Sequence, residues 1–249
     1  MDRMIYTALT GANAAMNRQR MVANNLANAS TPGFRQEVFA VKPSVLRDGS
    51  LEARAPARGN VRGADLAPAR VAPTGNPLDI AVQGDGLIAF QTPGGNGGEV
   101  YSRRGDLRIS ATGLLENGEG LAVLGIGGGP ITVPQGFPVS ISGDGTVLAA
   151  DPDAPGAQPQ QVGRIKLVSP EGSTVIKGTD TFLKVPGGGV LPADPTALVT
   201  TGSLEQSNVE TAETLVAMIE AQRSFEQRFK VMSTATEIDE AGARLMSLR

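Results

Sequence analysis

Proline and glycine are confined almost wholly to the interior of this 249-residue chain. All 17 prolines lie between Pro32 and Pro195, and 28 of the 32 glycines lie between Gly59 and Gly202. Proline removes a helical N–H donor and clashes with the preceding turn, and glycine is the next most costly residue inside a helix. The two ends can therefore be long helices, and the middle cannot.

Both ends carry a helical apolar pattern. In the first, Ile5, Leu9, Ala12, Met16, Ala23 and Leu26 recur at steps of three and four, with Gln19 the polar member of the stripe. Such a narrow seam suits a helical partner. Ser30-Thr31-Pro32-Gly33 then supplies a stop, so this helix is expected to end near Asn28. In the last segment Leu215, Met218, Phe225, Phe229, Met232, Ala235, Ile238, Ala241, Leu245 and Leu248 form a second stripe, interrupted by Gln222. Asn208 or Thr211 is the candidate cap. Residues 1–35 carry four arginines against Asp2, whereas residues 203–249 carry five basic and eight acidic side chains. Opposite net charges bias the two ends towards each other without contributing much stability.

From about Glu37 to Thr74 the chain is poor in periodic apolar pattern and reads as an extended connector with one strand at most. From Asn76 onward short β-prone runs follow one another: 78–83, 87–92, 100–103, 107–110, 131–133, 139–142, 146–149, 164–168 and 182–185. Gly84-Asp85-Gly86, Asn117-Gly118 and Gly143-Asp144-Gly145 supply residues that tolerate positive φ, as hairpin turns require. The expected fold is α+β. Long N- and C-terminal helices (1–35 plus 203–249) form a discontinuous coiled-coil-like domain, 36–75 connects, and 76–202 is a β-rich middle domain.

Composition narrows the chemistry. There is no cysteine, histidine or tryptophan, which removes thiol nucleophiles, imidazole bases, disulfides and most transition-metal sites. A net charge of -3 gives no nucleic-acid footprint. The N-terminus lacks the apolar run of a secretory signal, and no stretch of membrane-spanning length stands out, so direct membrane insertion is not expected. Gly84-Asp85-Gly86-Leu87-Ile88-Ala89 matches a dinucleotide fingerprint in letters alone, because a strand rather than a helix is expected to follow it. Asp79, Asp85, Asp106 and Asp144 are the carboxylates that a two-carboxylate hydrolase would use. Three of them sit in or beside glycine turns, where aspartate is favoured for its bonds to nearby backbone N–H groups. No catalytic, metal or cofactor-binding residue emerges, and no cofactor is expected.

Asn24, Asn25 and Asn28 cluster on the first helix although asparagine is a mediocre helix former. Either they line a solvated face, or their amides hydrogen-bond within a crowded helix assembly. The assembly reading places Ile5, Leu9, Ala12, Met16, Ala23, Asn24, Asn25, Leu26, Asn28, Leu215, Met218, Gln222, Phe225, Phe229, Met232, Ile238 and Leu245 at an interface. A secreted β-rich adhesin with a helical stalk is the competing reading. It would need exposed aromatic residues on the middle domain, which holds only Phe90, Tyr101, Phe137 and Phe182.

The segment Ala23-Asn24-Asn25-Leu26-Ala27-Asn28-Ala29-Ser30-Thr31-Pro32-Gly33-Phe34-Arg35 resembles the N-terminal signature of the flagellar rod, hook and hook-associated family. In the same order, Gly75-Asn76-Pro77-Leu78-Asp79-Ile80-Ala81-Val82-Gln83-Gly84-Asp85-Gly86 is similar to the start of that family's middle domain. Leu204-Glu205-Gln206-Ser207-Asn208-Val209-Glu210 is similar to its entry into the C-terminal helix. The opening residues and the length resemble the family's proximal rod members. The resemblance implies a structural, non-enzymatic subunit in the periplasmic rod of the basal body, assembling helically through its terminal helices and transmitting torque. Implied partners are the flagellar type III export apparatus, copies of the chain itself and other rod subunits: proximal rod proteins and the distal rod protein FlgG. No nucleic acid is implied.

Overall fold

The structure is a computed structural model that describes residues 2–43, 57–94, 98–154, 156–178 and 180–247. The chain divides into two compact units, one comprising 1–27, 37–63 and 209–249, the other 28–36 and 64–208.

The first unit holds both helices. Helix α1 (Asp2–Ala27) packs against α2 (Thr211–Ser247) and against strand β1 (Glu37–Pro43), which pairs with β2 (Ala57–Ala64) in a two-stranded sheet. Among its described residues, the span expected as a connector is thus largely strand, and 44–56 lie outside them. Backbone pairing of β1 with β2 organises it. Thr31 N–H bonds to Asn28 O at 3.1 Å just beyond the end of α1, and Gly33 takes a φ of +66°.

Fourteen short strands among the described residues build the second unit: β3 (Val71–Pro73), β4 (Ile80–Val82), β5 (Leu87–Gln91), β6 (Glu99–Ser102), β7 (Leu107–Ile109), β8 (Leu115–Asn117), β9 (Val139–Ile141), β10 (Thr146–Ala149), β11 (Gln160–Arg164), β12 (Leu167–Val168), β13 (Ile176–Lys177), β14 (Leu183–Lys184), β15 (Val199–Thr201) and β16 (Ser203–Glu205). The largest sheet has the order β12-β5-β6-β14-β13, and β11-β10-β9 form a second. Gly143-Asp144-Gly145 turns β9 back onto β10 as expected, with Val147 opposite Ile141 and a φ of +81° at Gly145. Gly84-Asp85-Gly86 behaves differently. Strand β4 pairs with β15 and β5 with β6, so this turn passes the chain between sheets and closes no hairpin.

Two apolar clusters fill this unit. Ile80, Ile88, Phe90, Val100, Leu115, Val123, Val147 and Ile165 anchor one; Leu87, Ala89, Tyr101, Val168, Leu183 and Leu191 anchor the other. Alternate residues of β5 thus point into different clusters, as the two-residue period of a strand covered on both faces demands. A buried polar chain runs beside the second cluster. Lys166 Nζ donates to both Glu99 oxygens at 2.7 and 2.8 Å, Tyr101 OH donates to Glu99 Oε2 at 2.9 Å, and Leu191 N–H donates to Tyr101 OH at 2.8 Å. Burial, with the Glu99 carboxylate adding to it against the Leu191 bond, pushes the Tyr101 phenol up to about 12. Next to these strands, a Cβ on Gly105 would lie 1.7 Å from Ile80 O, so only glycine lets the two backbones meet there.

Candidate assembly interface

Helix α1 buries a face of small residues. Gly11, Ala12, Ala15, Val22 and Asn25 are buried, a stripe turned about 100° round the axis from the one the larger apolar residues mark. Among the described side chains of the expected stripe, Ala12 alone is buried. Leu9 is 43% exposed, Ala23 is exposed, and Met16 and Leu26 are half-buried. Small side chains let helix backbones approach closely, so the α1 surface covered within the subunit is the small one.

Helix α2 divides in the same way. Thr214 and Ala221 are buried, and Met218, Phe225 and Met232 are half-buried on the same side. Phe225 and Phe229 stack at 6.5 Å between centroids, yet Phe229 remains 57% exposed, as do Leu215 at 48% and Ile238 at 56%. Leu215, Ile219 and Phe229 make one exposed apolar stripe, with Gln222 and Glu226 between them. Val216, Val231 and Ile238 make another about 130° round the helix, interleaved with Glu220 and Gln227. The side chains of Ile5 and Leu245 lie outside the described ones. Across the helix pair, Arg18 and Glu220 meet at 3.8 Å in solvent.

The asparagines have definite partners. Asn25 presents its amide to β1 as a strand would present its backbone: Glu37 N–H donates to Asn25 Oδ1 at 2.8 Å, and Asn25 Nδ2 donates to Glu37 O at 3.1 Å. Asn24 Nδ2 donates to Glu37 Oε1 at 2.6 Å. Asn28 Oδ1 accepts from Thr31 Oγ1 at 3.2 Å. Asn208, a candidate helix cap, is committed elsewhere. Its Oδ1 accepts from Gln36 N–H at 2.6 Å, and its Nδ2 donates to Asp65 O at 3.0 Å and Ala67 O at 3.3 Å.

A buried ion-pair hub in the second unit joins the motifs that flank the helices. Glu205, 1% exposed, accepts from Arg35 Nη2 on Oε1 at 2.7 Å and from Arg103 Nη1 on Oε2 at 2.9 Å. Ala69 N–H donates to Oε1 at 2.8 Å, and Gly33 N–H donates to the Glu205 carbonyl at 2.8 Å. Arg35 Nη1 reaches Ala67 O at 2.7 Å, while Arg103 binds the carbonyls of Gly84 and Gly86. Burial holds the Arg35 guanidinium below its ordinary value; Glu205 opposes that shift and Arg103 adds to it. A Cβ on Gly33 would fall 2.3 Å from the Arg103 backbone, so glycine is required both for the turn and for this approach. Beside the hub, Lys177 Nζ sits 3.5 Å over the Phe34 ring. Spacing alone does not reveal Arg35, Arg103 and Glu205 as a set, because they lie in three distant segments; the quoted motifs contain two of them.

Three of the four carboxylates considered for hydrolysis have hydrogen-bond partners of their own, although Asp79 and Asp106 lie opposite each other in an isolated bridge. Asp79 accepts from Asn76 Nδ2 at 2.9 Å, Asp106 accepts from Arg104 at 2.7 Å, and Asp144 accepts from Thr146. The Thr146 hydroxyl and N–H hold the Asp144 carboxyl below the usual range. Aromatic residues are withdrawn as well: Phe90, Tyr101 and Phe182 are buried and Phe137 is half-buried, which leaves no exposed aromatic surface among these four for an adhesin. Among the described residues, no helix is long and apolar enough to cross a membrane.

Three family descriptions match the chain in order along it. They are "Flagella basal body rod protein" over residues 5–35, "Flagellar hook protein FlgE/F/G D1 domain" over 81–149 and "Flagellar basal body rod FlgEFG protein C-terminal" over 200–245. The chain is 38% identical to the flagellar basal-body rod protein FlgF of Salmonella typhimurium, and 39% identical to that of Escherichia coli, over the full length of both chains in each case. It is 28% identical to the rod protein FlgG of Bacillus subtilis over 96% of this chain and 97% of that one. Full-length identity at this level, with all three matches in order, establishes that the chain belongs to the flagellar basal-body rod protein family and is FlgF-like within it.

Proposed function

We propose that this chain, a structural subunit of the flagellar basal-body rod, is built into the proximal rod through α1 and α2 and there passes torque along a helical assembly. The observation that carries this reading is the distribution of apolar surface on α2. One side packs on α1, and two further stripes, led by Leu215, Ile219 and Phe229 and by Val216, Val231 and Ile238, are exposed. A helix that is apolar on several sides is one destined to be surrounded. Two distinct exposed stripes need two different covering surfaces. Contacts of that heterologous kind generate an open helical array when their rotation does not close.

The division of the chain serves the same end. The terminal segments 1–35 and 203–249 supply the helices of a coiled-coil-like assembly domain, and the β-rich middle supplies lateral surface. In this reading the large apolar residues left exposed by the small-residue packing of α1, with those of α2, meet copies of the chain, other proximal rod proteins and FlgG. Delivery by the flagellar type III export apparatus accompanies it, and no catalysis is assigned. A reconstruction of the isolated basal body in which this subunit is located provides the test. The proposal requires it in the proximal rod with both α2 stripes covered; a position outside the rod, or α2 facing solvent there, overturns it.

A further inference from the structure

We propose that Arg35 and Arg103 form a carboxylate socket whose ligand is the chain's own Glu205, so that the β-rich unit closes only once the segment leading into α2 is seated. Both guanidiniums are 3% exposed and converge on the two oxygens of one carboxylate. The remaining contacts of the socket are independent of Glu205: Ala67 O holds Arg35, and Gly86 O and Gly84 O hold Arg103. The socket is thus shaped by residues 28–103, and a carboxylate must fill it. Two buried cations facing a vacant position carry a desolvation cost and a mutual repulsion that nothing offsets.

Apart from Glu205, the segment that fills the socket is held by scattered hydrogen bonds rather than by core packing: Ser203 N–H reaches Asp79 O, Gln206 N–H reaches Arg70 O, and Asn208 binds Gln36, Asp65 and Ala67. Strand β16 is three residues long and pairs only with β3, Ser203 opposite Pro73 and Glu205 opposite Val71. A two-stranded pairing of that length is marginal by itself. Neither apolar cluster draws a residue from 28–36 or from 203–208. The core can therefore assemble without these arms, while Glu205, through Gly33, Arg35, Ala69 and Arg103, binds them to it. A chain whose C-terminal segment has not arrived leaves residues 28–36 and 64–71 open, as a sub-global unit with its own equilibrium.

The full-length Glu205→Ala variant tests this, because the atoms removed correspond to acetate. The unfolding midpoint of the β-rich unit should fall by about 10 °C. Acetate should restore at least half of that loss, whereas chloride at equal ionic strength should not. Neither the native chain nor Glu205→Gln, whose amide fills the space without the charge, should respond to acetate. Equal effects of acetate and chloride on Glu205→Ala would overturn the socket. Should that variant fail to fold, hydrogen exchange on full-length Glu205→Gln decides the matter. Protection at residues 33–36 and 65–71 should drop at least tenfold while β5 and β6 keep theirs; unchanged protection, or a uniform loss throughout the unit, contradicts the proposal.

Discussion

Asn25 shows how a residue with poor helix propensity can be required inside a helix. Its amide makes both hydrogen bonds that a neighbouring strand would make to Glu37, so the end of α1 is stitched to β1 without a strand there. Replacing it with alanine removes both bonds from a buried site, and the helical unit should lose about 1–3 kcal/mol in chemical denaturation. Aspartate keeps the acceptor but not the donor and should recover only part of that. Tyr101 gives a second residue-level prediction. Burial first, and then Glu99 against the opposing Leu191 bond, raise its pKa to about 12 from the usual 10.0. The folded state therefore favours the protonated phenol. Its contribution is fully present below pH 10 and is lost as pH rises from there towards 12. Tyrosinate absorbance should therefore rise near pH 12 in the native chain, and that rise should be absent in Tyr101→Phe; a native profile unchanged by the substitution in that range would show that Tyr101 is not held in this network.

At the scale of elements, each terminal helix has an inward and an outward face, and substitutions on them should separate. Ala221→Leu overfills the packed side of α2 and should destabilise the subunit by about 1–3 kcal/mol. Leu215→Asp and Phe229→Asp alter exposed positions and should change subunit stability by no more than about 0.5 kcal/mol, yet abolish rod incorporation and swarming. Normal swarming by both would remove α2 from the interface. The helices were legible in the sequence because proline and glycine leave the ends free, and the stop at Ser30-Thr31-Pro32-Gly33 placed the end of α1. Their inward faces were not. A hydrophobic stripe reports where large apolar residues lie, and here Leu9 stays exposed while Gly11, Ala12 and Ala15 pack internally. The strands of the β-rich unit were legible where β-branched runs alternate with glycine turns, as in β9 and β10. Strands β3 and β16 were not, since Val71-Ala72-Pro73 and Ser203-Leu204-Glu205 carry no β-branched run, and the pairing of these two distant segments decides them.

For the whole molecule, the boundary between the two units lies within the motifs rather than at their edges. Residues 28–36 and 203–208 belong with the β-rich unit, so trimming the chain to 36–202 removes Arg35 and Glu205 and should leave that unit loosened. A chain of residues 28–208 retains the hub and should melt cooperatively; circular dichroism on the two distinguishes them. The helices present the opposite case. They pack on each other within the subunit and leave Leu215, Ile219 and Phe229 exposed, so the proposed assembly would add to their burial. Amides of residues 212–245 should be more strongly protected in the rod than in monomeric subunit, where α2 packs on α1 alone. If the outward stripes of α2 are the assembly surface, as proposed, neighbouring subunits must cover them. Because the chain contains no cysteine, a single thiol at Leu215, Ile219 or Phe229 can be followed by maleimide labelling in free subunit and in purified basal bodies. All three should react in the free subunit and be shielded in the rod; thiols at Leu215 and Phe229 that remain as reactive in the rod as in solution would contradict the account.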